Sequence, residues 1–70
     1  MMTTTTWWFA INDEESDFCG EEFFVEVEEE RDKAKAAATK VAQEIFPNTK
    51  ITCYGRVSHT EAEMMGLDTY

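Results

Sequence analysis

EEFFVEVEEERDKAKAAATKVAQEIFP, residues 21–47, holds the change of period that decides the fold. Over Glu21–Glu29 the period is two. Phe23, Val25 and Val27 fall on one side, with Glu22, Phe24, Glu26 and Glu28 on the other, which predicts a strand with one buried face and one largely wet. Its glutamates discourage pairing with other chains, so an edge position is expected. From Lys33 to Phe46 the period becomes helical. Ala34, Ala37, Ala38, Val41, Ala42 and Ile45 form one apolar stripe, Asp32 offers an N-cap, and Pro47 with Asn48 ends the helix. Alanine along most of the stripe lets such a helix lie close to a sheet with bulky side chains.

Upstream, Thr4–Ile11 reads as a strand. Trp7, Phe9 and Ile11 alternate with Trp8 and Ala10, so both faces are apolar, as in a central strand covered on both sides. The polar stretch Asn12–Asp17 opens a loop that runs to about Gly20. Downstream, Lys50–Val57 is a third strand, with Ile51, Cys53 and Val57 expected on one face and Lys50, Thr52, Tyr54 and Arg56 on the other. Ser58 followed by Glu61 matches a capping box and predicts a short helix, His59–Met65, stopped by Gly66. Leu67–Tyr70 is a tail. The class is α+β in the order ββαβ(α), one small domain over residues 1–70. A right-handed crossover makes strands two and three parallel, and the antiparallel first strand sits between them in the order 2-1-3.

The charge is regional. Within the first thirty residues lie ten acids and no base, whereas residues 31–70 carry five acids and six bases, giving −9 in all. Such a field repels nucleic acid and anionic membranes and attracts basic partners. An apolar fraction of 43% excludes a disordered acidic tail. No basic segment followed by an apolar one opens the chain, and the longest apolar run, Trp7–Ile11, is too short to cross a bilayer. A soluble, cytoplasmic protein is expected. Cys19 and Cys53 lie outside any C-x-x-C arrangement and, in the order 2-1-3, about 9–10 Å apart across a strand, so free thiols are expected.

Four constellations of residues bear on chemistry. Asp13, Glu15 and Asp17 have the spacing that opens a calcium loop, but Phe18 stands where glycine is required and Phe24 where glutamate is. His59, the single histidine, would need Cys19 and Cys53 from distant parts of the chain to hold zinc. No metal and no cofactor is therefore expected, and no carboxylate pair has a visible cleft, so no enzymatic activity is expected either. Aromatic residues are the fourth set. Phe24, Trp8 and Tyr54 align across the three strands on the face away from the main helix, an exposed row unless Met64, Met65 and Leu67 fold over it or a second copy pairs through it. Glu22, Glu26 and Glu28 on that face exclude direct nucleic-acid binding.

Two functions follow as expectations. In the first, Asp13, Glu14, Glu15, Asp17, Glu22, Glu26 and Glu28 attract a basic, nucleic-acid-binding protein by imitating a phosphate track, with Phe24 as anchor. In the second, Trp8, Phe24 and Tyr54 form a homodimer interface in a self-associating scaffold. Tyr54–Ser58 and Glu61–Tyr70 resemble the closing segment of short uncharacterised proteins of bacteriophages, marine ones among them. The acidic ββαβ plan is also similar in size and charge to small phage inhibitors such as anti-CRISPR proteins. The resemblance implies a phage accessory role against a host protein and carries over no functional residue.

Overall fold

The computed structural model describes residues 2–70. Three strands, β1 (Met2–Ile11), β2 (Glu22–Glu30) and β3 (Ile51–Val57), form a sheet in the order β2-β1-β3, with β1 antiparallel to both neighbours. The helices are α1 (Ala34–Ile45) and α2 (His59–Met65). This is the expected α+β arrangement. In the centre, β1 buries Phe9, Ala10 and Ile11 together, so both of its faces are covered there.

The core lies between the sheet and α1. Phe9, Ile11, Phe23 and Val25 meet Ala38 and Ala42, and Trp7, Val27, Val41, Phe46, Ile51 and Cys53 close the margins. Phe9 and Phe23 stack across the strand pair at 5.6 Å. Trp7 donates its indole N–H to Thr5 Oγ1 at 2.9 Å, which supplies a partner to the buried threonine.

The start of α1 departs from expectation. Asp32 does not cap the helix. Glu30–Lys33 forms a tight turn closed by Lys33 N–H donating to Glu30 O, and the helix begins after Lys33 with no side-chain cap. The short turn from β2 leaves Asp32 ahead of the capping position. At the other end Phe46 is the C-cap, and Asn48 takes a left-handed φ of 59° after Pro47.

The faces of β3 are also corrected. Trp8 pairs with Gly55 and Phe9 with Cys53, so Tyr54 is the extra residue of a β-bulge. Beyond it the alternation inverts. Arg56 lies opposite Trp7 on the α1 side, and Val57 lies opposite Thr6 on the other side, where it is buried. Gly55, at φ 126°, makes the bulge feasible, because a side chain there would strain the backbone.

α2 flanks the opposite face, where His59 and Ala62 line a hollow of ≈ 340 Å³ with Thr6, Glu26 and Leu67. Its capping box forms in both directions: Glu61 N–H donates to Ser58 Oγ, and Ser58 N–H donates to Glu61 Oε1. Gly66, at φ 65°, ends it in the left-handed conformation. The residues after it do more than trail. Phe24 N–H donates to Asp68 O, Tyr70 N–H to Phe24 O and Glu26 N–H to Tyr70 O, all at 2.8–2.9 Å. Residues 68–70 thus run parallel along the outer side of β2, which over that span is not an edge.

Candidate functional site

The acidic loop is tied down by its first carboxylate. Asp13 Oδ1 accepts from Glu15 N–H at 3.0 Å and Oδ2 from Lys50 N–H at 3.2 Å, which links the loop to the start of β3. Ser16 N–H donates to Asp13 O, Phe18 N–H to Ser16 Oγ, and Gly20 N–H to Ile11 O, so the loop closes on itself before entering β2. Asp13 is therefore a structural residue, whereas Glu14, Glu15 and Asp17 are exposed. The strand divides its carboxylates in the same way. Glu22 Oε1 accepts the Trp8 indole N–H at 2.8 Å. Glu26 and Glu28 are exposed opposite Thr6 and Thr4.

Five of the seven predicted acids, Glu14, Glu15, Asp17, Glu26 and Glu28, thus project without a side-chain hydrogen bond or ion pair among the described residues. The side-chain contacts of opposite type there are the ion pair Lys33–Glu30 at 3.4 Å and the approach of His59 Nε2 to Glu63 Oε1 at 3.0 Å, both exposed. Pairs of that kind contribute little to stability.

The aromatic row exists in part. Trp8 stands opposite Phe24 and packs against Tyr54 with ring centroids 4.7 Å apart. Yet Phe24 is 0% exposed. As a surface anchor or an interface residue it is corrected: the segment after α2 is hydrogen-bonded along its backbone, and its ring is inside. Of the three residues expected to fold over the row, Met64 is 83% and Met65 37% exposed, and Leu67 is half-buried. What remains accessible is Tyr54, 57% exposed, beside a half-buried Trp8.

A concavity of ≈ 870 Å³ lies between the acidic loop and the turn after α1. Asn12, Asp13, Glu14, Glu15, Gln43, Asn48, Thr49 and Lys50 line it, without a histidine or a cysteine. Gln43 Nε2 donates to the carbonyls of Phe46 and Thr49, and so braces that turn. Among the described residues no three His, Cys, Asp or Glu side chains converge as metal ligands. Cys19 and Cys53 are free thiols. No helix is long and apolar enough to cross a membrane.

A second aromatic group has no signature in the sequence pattern. Phe18, Phe23, Phe46 and Tyr70 come from the loop, β2, the end of α1 and the C-terminal segment, and they meet with centroids 5.0–6.3 Å apart. The available signals were a phenylalanine inside an acidic loop and another just before Pro47. Neither has a period to betray its neighbour. Compared with known protein families, curated proteins and solved structures, the chain matches none.

Proposed function

We propose that this chain is a small non-enzymatic accessory protein, of the kind phages direct at host proteins, that binds a basic partner through its acidic loop and β2. One observation carries the reading. Five carboxylates, Glu14, Glu15, Asp17, Glu26 and Glu28, are exposed and internally unpartnered among the described residues, while every base of the chain lies from Arg31 onward. An array of that kind raises the local concentration of a cationic protein and speeds encounter.

Spacing refines the idea of a phosphate track. Residues on one face of a strand recur about every 6.8 Å, whereas phosphates on one DNA strand recur about every 3.4 Å along the axis. The row through Glu22, Glu26 and Glu28 therefore has at most about half that linear charge density, and it is interrupted at Phe24. Recognition is a match of charged patches, with a nucleic-acid-binding protein as the partner best suited to it. The rival reading, a homodimer through Trp8, Phe24 and Tyr54, is disfavoured because its central ring is buried.

A displacement assay tests the proposal. A labelled duplex is loaded on a basic, sequence-independent DNA-binding protein, and its release is followed by anisotropy. The wild-type chain should release DNA at low salt and progressively less as salt screens the charges. The variant Glu14→Gln, Glu15→Gln, Asp17→Asn, Glu26→Gln, Glu28→Gln should need at least about tenfold more protein, with an unchanged thermal melt. Equal release by the variant would refute the assignment.

A further inference from the structure

Phe18, Phe23, Phe46 and Tyr70 border a hollow of ≈ 390 Å³ at the C-terminal end of α1. Phe23 is buried and forms the floor, while Phe18 is 54% and Tyr70 49% exposed. Glu21 and Asp68 stand on the rim, and no basic residue lines it. Glu22 also borders the hollow, but its carboxylate is bound to Trp8. α1 brings its negative dipole end here with no basic residue in its last turn; the side-chain donor present is the neutral amide of Gln43. Ring faces, rim carboxylates and the helix end all favour a positive charge, through three separate physical effects.

Shape selects among cations. Phe46 meets Phe18 at 63° and Tyr70 at 88°, and Tyr70 meets Phe23 at 81°, with centroids 5.7–6.3 Å apart. Rings already in edge-to-face contact leave no cage for a spherical ammonium. A planar guanidinium needs only one exposed ring face and a carboxylate beside it. We propose that this hollow receives an arginine side chain of a basic protein, its guanidinium against Tyr70 and Phe18 and within the field of Glu21 and Asp68. The proposal rests on the reading of the chain as a binder of basic proteins and supplies the anchor that Phe24 does not.

The test is a titration of the ¹⁵N-labelled chain with N-acetyl-Gly-Arg-Gly-amide and with its lysine and citrulline counterparts. Saturable shifts at the amides of Phe18, Glu21, Phe46, Asp68 and Tyr70 are expected with arginine. Lysine should bind several-fold more weakly, and neutral, isosteric citrulline should produce no saturable shifts. Asp68→Asn and Tyr70→Leu should each weaken arginine binding about 3–10-fold, and Tyr70→Leu keeps the backbone bonds to Phe24 and Glu26. Phe18→Leu, on an exposed loop, is a second ring variant that leaves the core untouched and should weaken binding similarly. Binding of citrulline equal to that of arginine, or no saturable shift at all, would overturn the proposal. Shifts confined to Glu14–Asp17, Glu26 and Glu28 would overturn it too, while leaving the acidic-surface reading standing. That reading fails separately, in the displacement assay.

Discussion

Across the sheet, α1 buries Ala34, Ala38 and Ala42, the last two against Phe9, Ile11, Phe23 and Val25, whereas α2 buries none of its own residues. α1 lacks a side-chain N-cap, and α2 has a reciprocal capping box and a left-handed glycine stop. The twelve-residue helix is held by tertiary packing, and the seven-residue one is held at its ends. Isolated helices that short are unstable in water. α2 therefore depends on its caps and on the strand pairing that follows it, and its side of the molecule should open first. Charge follows the same division. Lys35, Lys40 and one acid, Glu44, are exposed on α1, whereas the exposed charged residues of α2 include Glu61 and Glu63.

The largest effects should come from the two fully buried rings that represent the two sides. Phe9→Ala and Phe24→Ala should each cost about 3–5 kcal/mol by the loss of a buried aromatic. Their consequences should differ. Phe9→Ala should lower the protection of α1 and all strands together in hydrogen exchange, while Phe24→Ala should first release α2 and residues 68–70. Loss of protection in the same order in both variants would erase the distinction between the layers.

A middle-sized effect compares the alanines. Ala38→Leu forces a larger side chain between α1 and the sheet and should cost about 1–3 kcal/mol. Ala62→Leu projects toward the hollow shared with Thr6 and Glu26 and should be neutral or stabilising by up to about 1 kcal/mol. Thermal melts of both variants sharpen the comparison, and equal destabilisation would mean that α2 packs as tightly as α1. The smallest effect is expected from Ser58→Ala. It removes the acceptor of the Glu61 N–H and should cost about 1 kcal/mol, seen as faster exchange of the first α2 amides with α1 unchanged.

Legibility in the sequence followed the range of the interaction. Local signals were readable: the double-sided apolarity of Trp7–Ile11, the Ser58–Glu61 box, the Gly66 stop, and Asn48 after Pro47. The order β2-β1-β3 was also readable, because a handedness rule and one strongly hydrophobic strand leave little choice. Features set by distant partners were not. The tail pairs with Phe24 and Glu26 more than forty residues away, with nothing periodic in Leu67–Tyr70 to announce it. The bulge did have a sign, a glycine inside a strand pattern, and strict alternation without it puts Arg56 and Val57 on the wrong faces. The acidic surface was visible as composition. Sequence could not separate Asp13 and Glu22, which accept hydrogen bonds, from the five carboxylates left free.

The bulge at Tyr54 has a bearing on how copies of this chain meet. The outer side of β3 has no strand beside it among the described residues, whereas β2 is covered by residues 68–70 only around Phe24 and Glu26. A straight strand there would offer every copy a template for the next, and molecules could add one after another into a filament. Tyr54 is the bulged residue at the middle of the seven, so an incoming strand finds at most three residues in register on either side of it. A bulge of this kind works against addition of a further strand on that side.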